Sequence, residues 1–301
     1  MRKLLLLFSA AALIFLAACT NEGPATEAGE GGTFTVAAIP AQSTGVVEEG
    51  YRKLEAELAE GLGKEVELEI YPNYNAVVEA INYNHVDLAF LGPTTYLIAH
   101  EQSGAEAILS PLINGEPYYY SYIVTHADSP WDSLDELLAN VEEVDFAFGS
   151  ISSTSGSIIP SYELMRRGVF QSEDDHSFKS VVYTGSHDIT GQQVQNQLVD
   201  AGAIDSAIFH SLVDKGELDE SQFKIIWQSE QLYQYPWVVP GGTDPELIEQ
   251  IQEVFLNITD DEILRVFGGA SGFVVTDPSQ YENVLNAIYA VRPQMLNPQE
   301  D

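Results

Sequence analysis

Apolar residues recur along the chain in two alternating patterns. Short runs rich in Val, Ile, Leu and Phe, several of them apolar throughout, are typical of strands that helices cover. The predicted strands are 33–39, 65–71, 86–92, 121–126, 144–149, 180–185, 203–209 and 223–229. Between them lie stretches in which apolar residues are three or four positions apart, which is the period of an α-helix.

The clearest helical stretch is 45–63. Its apolar stripe consists of Val47, Tyr51, Leu54, Leu58 and Leu62. Further helices are predicted over 74–84, 133–141, 157–168, 188–202 and 245–258. Alternating strands and helices indicate an α/β fold, in which ligands bind at the carboxyl ends of the strands.

The first nineteen residues predict export. Arg2 and Lys3 precede an apolar run that small residues close at Cys19, a pattern typical of a signal peptide and too short for a membrane span. The segment "LAAC" that ends there resembles a bacterial lipobox, in which the cysteine is lipidated. We therefore expect a lipoprotein signal peptide over 1–18 and a lipid-anchored flexible tether over 19–32. The protein would then be held on the extracytoplasmic side of the cell membrane.

The formal net charge of −34 excludes one class of partner. Twelve basic residues face 46 acidic ones, and loss of the two basic residues of the signal peptide would take the charge to −36. Such a surface repels nucleic acid. The acidic residues are spread along the whole chain, which favours adaptation to a saline or alkaline exterior over recognition of a cationic ligand.

Two aromatic-rich segments, 117–124 and 227–240, flank the middle of the chain. Two crossings between two lobes would give this arrangement, with 33–120 and 235–301 forming lobe 1 and 121–234 forming lobe 2. The aromatic residues at the crossings could line a cleft or belong to an ordinary core, and the sequence leaves both open.

A run of hydroxyl residues joins a predicted strand to a predicted helix. The stretch "GSISSTSGSIIP" (149–160) holds five serines and one threonine in twelve positions. These residues could simply cap the helix. They could also bind an anion, because free backbone N–H groups and the helix dipole converge at such a junction.

Four motifs in register resemble the substrate-binding proteins of ABC importers for phosphate, phosphite and phosphonate. The motifs are "YNAVVEAINYNHVDLAFLGPTTYLIA" (74–99), "SYIVTHADSPWDSLDELL" (121–138), "FAFGSISSTSGSIIP" (146–160) and "YTGSHDITGQQVQNQLVDAGAIDS" (183–206), within a similarity that covers about 34–290. The resemblance implies a two-lobed α/β periplasmic binding protein of type II, with two crossover strands and a ligand cleft between the lobes. It also implies hinged closure on a small phosphorus oxyanion and delivery to an ABC permease and its ATPase, without a cofactor or a metal.

The same resemblance implies a set of ligand-binding residues in the cleft. They are Tyr74, Tyr96, Ser153, Thr154, Ser155, His187 and Asp205. Hydroxyl, imidazole and backbone donors would hold the anion by hydrogen bonds, since no lysine or arginine falls inside any of these motifs. An ionised Asp205 can only accept a hydrogen bond, so we expect it to favour a protonated monoanion, or an ammonium group on a larger phosphonate, over a dianion.

Other classes of function fit the sequence less well. Ser153 and His187 could be imagined with an aspartate as a nucleophilic triad, but no G-x-S-x-G elbow surrounds these serines. No H-E-x-x-H motif or cysteine cluster indicates a metal centre. The sequence therefore predicts a monomeric binding protein and not an enzyme, with a same-fold receptor for a sensor kinase or for an organic solute as the alternative. The ligand stays open among phosphate, phosphite, hypophosphite, methylphosphonate and aminoethylphosphonate.

Overall fold

A computed structural model describes residues 32–296 of the protein. The expected signal peptide, the lipidated Cys19 and all but the last residue of the tether lie outside the described residues. None of the helices within 32–296 has both the length and the apolar composition needed to cross a bilayer.

The strands of the described part are mostly short. They are β1 Phe34–Ala38, β2 Val66–Ile70, β3 Leu88–Phe90, β4 Glu106–Leu112, β5 Tyr118–Tyr119, β6 Ser121–His126, β7 Asp145–Phe148, β8 Phe170–Ser172, β9 Asp175–His176, β10 Ser180–Tyr183, β11 Ala201–Asp205, β12 Phe223–Gln228, β13 Leu232–Tyr233, β14 Trp237–Val239 and β15 Gly272–Val275.

Helices connect most of these strands. They are α1 Thr44–Leu62, α2 Tyr74–Asn82, α3 Pro93–Ser103, α4 Leu134–Leu138, α5 Ile159–Arg166, α6 His187–Gln195, α7 Ser206–Asp214, α8 Pro245–Leu256, α9 Asp261–Val266 and α10 Leu285–Val291. A π-helical turn, Thr154–Ile158, leads directly into α5.

Two mixed sheets organise the protein. The first has the strand order β15-β4-β14-β3-β1-β2, and the second has the order β10-β7-β11-β6-β12. Strands β1, β2 and β3 are parallel, as are β7, β10 and β11, while the remaining pairs of both sheets are antiparallel. The chain passes from the first sheet to the second between β4 and β6 and returns between β12 and β14.

This architecture confirms the α/β fold class with two crossings. The first sheet takes its strands from 34–112 and 237–275, and the second takes its strands from 121–228. The lobe boundaries at 120/121 and 234/235 stay a prediction.

Most predicted elements are found within a few residues of their predicted bounds, but the helix over 188–202 ends at Gln195 and the strand over 203–209 is wrong in its second half. Strand β11 ends at Asp205, and α7 begins at the next residue. The reason is local: Oδ1 of Asp205 accepts the N–H groups of Ala207, at 2.7 Å, and Ile208, at 3.0 Å. This side-chain cap starts a helix where apolar content alone indicated a continuing strand.

The stripe predicted for α1 forms the contact between this helix and the core. Its first four residues are buried, while Leu62, in the last turn, is half-buried. Burying one such aliphatic side chain contributes about 1.5–3 kcal/mol, so this stripe fixes α1 against the first sheet. That attachment in turn fixes the loop that leads from β1 into α1.

Helix starts gather at the carboxyl ends of the strands. Helices α1, α2 and α3 follow β1, β2 and β3, and the π-helical turn, α6 and α7 follow β7, β10 and β11. In α/β sheets this edge is where ligands bind, because helix N-termini present free N–H groups there.

Candidate anion-binding site

The hydroxyl loop is held in shape by two close-packed glycines. The N–H of Gly149 donates to the carbonyl of Gly156 at 2.8 Å, and the N–H of Gly156 donates to Oγ of Ser153 at 3.1 Å. A Cβ on Gly156 would lie 2.9 Å from Cε1 of His187 and 3.2 Å from Cα of Gly149. Glycine is therefore required for the backbone of the loop to approach the imidazole.

Thr154 joins the hydroxyl loop to the first turn of α3. Its Oγ1 accepts the N–H of Thr94 at 2.8 Å and donates to Oγ1 of Thr94 at 2.9 Å. Both residues are fully buried. The N-terminus of a helix from the first sheet thus faces the loop that follows β7 of the second sheet.

His187 lies beneath the loop as a neutral donor. Its Nδ1 accepts the backbone N–H of Asp205 at 3.2 Å, so in the neutral ring the proton must be on Nε2. Nε2 lies 3.2 Å from Oη of Tyr235 and 3.4 Å from Oγ of Ser153. Burial lowers the pKa of His187 to about 4, although the nearby Asp188 charge opposes this shift. The ring is therefore uncharged at neutral pH.

Asp205 is the ionisable acid of the site. Burial raises its pKa to about 7. Four groups lower the pKa and so limit this rise. They are the two N–H groups of α7 that the carboxyl caps and the hydroxyls of Tyr235 and Ser155. At neutral pH this carboxyl is poised between its protonated and its ionised form, so a small change in its surroundings shifts it either way.

Three buried hydroxyls near Asp205 have no hydrogen-bond partner of ordinary geometry in the described part of the structure, although the Ser155 hydroxyl is close enough to Asp205 to lower the pKa of its carboxyl. They belong to Tyr74, Tyr119 and Ser155, each at most 1% exposed. The Asp205 charge, after burial, raises the pKa of Tyr119, and it also contributes to the raised pKa of Tyr74. Buried polar atoms are normally paired. A group of unpaired hydroxyls around one acid is therefore the arrangement expected of a ligand site.

The structure brings six of the seven predicted site residues together and places Tyr96 elsewhere. The Tyr96 ring packs against Tyr281 at 4.9 Å and His100 at 5.7 Å between centroids. Burial raises the pKa of its hydroxyl to about 12, and the backbone of Ala107 in β4 opposes this rise. The reason is helical phase: Tyr96 lies about 200° around α3 from Thr94, the residue that faces the loop.

Two tyrosines from the crossings complete the site, and sequence reasoning did not single them out. Tyr119 and Tyr235 are 1% and 3% exposed, and their ring centroids are 5.4 Å apart. The aromatic richness of the two crossings was the available signal. This signal could not distinguish a cleft from a core. The structure shows that both rings are buried and that the hydroxyl of Tyr235 contacts His187.

A small cavity adjoins Asp205 and Tyr235. Its volume is about 20 Å³, close to that of one water-sized sphere. Apolar side chains form most of its wall, among them Ile39, Phe90 and Val266. The site therefore combines a polar surface of hydroxyls with a narrow apolar one.

Helix N-termini favour an anion at this position without a cationic side chain, while the Asp205 carboxyl opposes it when ionised. Helix N-termini carry about half a positive charge each, and those of α3, α6, α7 and the π-helical turn converge here. Among residues 32–296, no group of three or more His, Cys, Asp or Glu side chains is placed to hold a metal ion. The donors are hydroxyls, backbone N–H groups and one imidazole N–H.

The two-sheet α/β fold with hydroxyl residues at the carboxyl ends of its strands is typical of solute-binding proteins. A comparison with protein families matches residues 36–281 to the family described as "ABC transporter, phosphonate, periplasmic substrate-binding protein". The chain belongs to this family. It is a transport substrate-binding protein and not an enzyme.

Relatives support the same assignment. The chain is 31% identical to the phosphate-import protein PhnD of Mycolicibacterium smegmatis, over 81% of this chain and 78% of the relative. It is 26% identical to a probable ABC transporter phosphite-binding protein, PhnD1, of Prochlorococcus marinus, over 83% and 86% of the two chains.

Solved structures agree with the fold. The structure of Prochlorococcus marinus PhnD1 in complex with methylphosphonate matches with a TM-score of 0.74 and 25% identity, covering 85% of this chain and 97% of that one. A binding-protein component of an ABC phosphonate transporter from Pseudomonas aeruginosa matches with a TM-score of 0.75 and 21% identity, covering 86% of each chain.

Proposed function

We propose that the protein captures a small phosphorus oxyanion, namely phosphite, phosphate or a small phosphonate, between its two sheets. The observation that carries this proposal is the group of three buried, unpaired hydroxyls of Tyr74, Tyr119 and Ser155 around Asp205. A tetrahedral anion offers several acceptor oxygens, and hydroxyl groups can donate to them from different directions.

The other predicted residues complete the binding surface. The Nε2–H of His187 points at the hydroxyls of Tyr235 and Ser153. A ligand oxygen would replace these hydroxyls as the acceptor of this N–H group. Thr154 acts by holding α3 against the loop. Tyr96 is left out of the proposed site, because its ring packs against Tyr281 and His100.

Asp205 would select the protonation state of the ligand. When ionised it accepts a hydrogen bond, so it pairs with the P–OH group of a monoanion and repels a dianion. With a pKa of about 7 the carboxyl is partly ionised at neutral pH, and only this ionised form makes the distinction. We expect monoanionic forms to be bound best.

The size of the site supports a small ligand. The adjoining cavity of about 20 Å³, with Asp205 and Tyr235 in its wall, has room for about one water-sized group beside the proposed anion. Relatives are named for phosphate import and phosphite binding, and a neighbour is in complex with methylphosphonate, all of which are small ligands.

Capture would be followed by delivery. Two segments join the sheets, so rotation about them can open and close the site. The closed, monomeric protein would dock on an ABC permease driven by its ATPase. We further propose that the chain is exported, cleaved before Cys19 and anchored by lipid on the extracytoplasmic side, which would keep the receptor beside its permease.

A thermal-shift panel tests the proposal. The protein carrying Cys19→Ser, and so free of lipid, is heated with phosphite, phosphate, methylphosphonate, aminoethylphosphonate or sulfate. A ligand at one hundred times its Kd adds about 2.7 kcal/mol of stability, so we expect a clear rise in Tm with at least one phosphorus oxyanion and none with sulfate. An unchanged Tm with every phosphorus compound would contradict the proposal.

A further inference from the structure

Asp188 lies beside the proposed ligand site, but its carboxylate accepts hydrogen bonds from Ser43, outside that site. Its carboxylate is 1% exposed. Oδ1 accepts the backbone N–H of Ser43 at 3.1 Å, and Oδ2 accepts the hydroxyl of Ser43. A buried carboxylate is costly unless it is paired, and both partners here come from one residue 145 positions earlier in the chain.

The bond joins elements that belong to different sheets. Asp188 is in the first turn of α6, which follows β10 of the second sheet, while Ser43 precedes α1, which follows β1 of the first sheet. Beside it, the N–H of His187 donates to the carbonyl of Ala41 at 3.0 Å. The two neighbouring bonds fasten the loop before α1 to the start of α6.

The Ser43 side chain does not cap α1, as a serine at this position usually would, and contacts Asp188 instead. Ser43 is the N-cap residue of α1, yet its side chain caps no N–H group of that helix. A serine at this position normally accepts a hydrogen bond from the first turn. Here its hydroxyl donates to Asp188 instead, and the carboxylate supplies negative charge to the N-terminus of α1, where the helix dipole favours it.

We propose that Ser43 and Asp188 form a latch that holds the two sheets closed over the ligand without touching it. The inference rests on the proposed function and adds a positioning residue to it. When the sheets separate, Asp188 loses both donors and must be hydrated instead. The Ser43–Asp188 latch therefore contributes to the closed state alone, and so to the affinity for every ligand by the same factor.

The chain offers a matched control within a single sheet. Oδ2 of Asp87 accepts the N–H and the hydroxyl of Thr35, at 2.8 and 2.9 Å, and both residues belong to the first sheet or its edge. Asp87 is exposed whereas Asp188 is buried, so Asp87→Asn controls for the loss of a carboxylate acceptor within one sheet and not for the loss of a buried charge.

The binding test compares Asp188→Asn, Ser43→Ala, their combination and Asp87→Asn, each with Cys19→Ser. Kd and dissociation rates are measured by calorimetry and stopped flow for phosphite, phosphate and methylphosphonate. We expect Asp188→Asn to raise the Kd of each anion about 10-fold through faster dissociation, and to leave the ratios between the Kd values of the anions unchanged. Ser43→Ala should raise these Kd values less, the double variant should raise them no more than Asp188→Asn, and Asp87→Asn should keep the wild-type Kd.

A distance measurement tests the latch without any ligand. Labels on Tyr83→Cys and Leu198→Cys, two exposed positions after α2 and α6, report the separation of the sheets. We expect longer label distances for Asp188→Asn than for the wild type or Asp87→Asn.

Three outcomes overturn the latch: a Kd equal to that of Asp87→Asn, a loss that differs between anions, or unchanged label distances. If the wild type binds none of the anions, the proposed function is wrong. The latch is then tested only by comparing the label distances of Asp188→Asn with those of the wild type.

Discussion

The backbone N–H of Asp205 donates to Nδ1 of His187 over 3.2 Å, and this one bond sets the chemistry of the site. An amide N–H can only donate, so the imidazole must carry its proton on Nε2 and present it to the hydroxyls around the ligand position. The same bond joins the end of β11 to the start of α6. The acid and the imidazole are thus positioned together, and at neutral pH the imidazole is uncharged while the acid is partly ionised.

Replacing His187 by asparagine should change how stability depends on pH. The pKa of His187 is lowered from 6.5 to about 4 in the folded state. As pH falls, His187 therefore binds a proton in the unfolded state before it does so in the folded state. The free energy of unfolding decreases by up to about 3 kcal/mol between pH 6.5 and 4. In urea unfolding from pH 4 to 7.5, His187→Asn should lack this loss. A variant that keeps the wild-type pH dependence would show that this ring is not buried as described.

Replacing Asp205 by asparagine should have the opposite effect. Its pKa is raised from 3.8 to about 7, so its contribution to stability is present below pH 3.8 and lost as pH rises through 7. The loss reaches about 4 kcal/mol. Asparagine can still cap α7, so unfolding at pH 8 should show a gain over the wild type that is smaller at pH 5. A gain independent of pH would contradict the raised pKa.

Asp205→Asn should also alter ligand selection. Without a carboxylate that repels a dianion, the preference for monoanions should fall. Calorimetric titration with phosphate at pH 6 and pH 8 measures this directly. Unchanged discrimination between the two pH values would remove Asp205 from the selection of protonation state.

An alanine at Gly156 should damage both stability and binding. Its Cβ would lie 2.9 Å from the His187 ring and 3.2 Å from the backbone of Gly149. Overpacking of this kind costs about 1–3 kcal/mol, and the displaced ring would weaken anion binding. Gly45→Ala is the control, since a Cβ there meets nothing within 4 Å and alanine favours the helix. Equal denaturation midpoints for the two variants would contradict the close approach.

Tyr74→Phe and Tyr96→Phe should differ in their effect on Kd, because the structure places only Tyr74 in the proposed site. Neither buried hydroxyl makes a hydrogen bond of ordinary geometry to another of residues 32–296, so removing either one costs little in the absence of ligand. Loss of the Tyr74 hydroxyl should raise Kd about 10-fold, since it faces the proposed ligand. Tyr96→Phe should leave Kd unchanged. The reverse result would restore Tyr96 to the site and remove Tyr74.

Much of the fold could be predicted because its signals are local. The stripe of α1 and the apolar runs of β1, β6 and β7 are readable from a few residues each. Strand β4 was missed because Ser110 and Pro111 interrupt its apolar run, and β14 because it has only three residues. The position of β14 between β3 and β4 depends on pairing across more than a hundred residues, which no local pattern shows.

The residues of the candidate site could be predicted where a motif contains them, but the motifs do not show which side chains meet. The hydroxyl loop and His187 lie in two different motifs and do come together. Tyr96 lies in a motif as well, but its direction depends on the phase of α3. Asp188 follows His187 directly in the sequence, yet its role depends on Ser43, which only the folded chain brings near.

The most direct test of the account is calorimetric titration of methylphosphonate and phosphite into the wild type and into the double variant Tyr119→Phe, Ser155→Ala. This variant removes two of the three unpaired hydroxyls around Asp205 and leaves the His187 contacts and the crossings in place. The account predicts tight binding by the wild type and a loss of about 100-fold or more in the variant, from two hydrogen bonds of about tenfold each. Equal affinity of the two proteins for both anions would show that these hydroxyls do not bind the ligand.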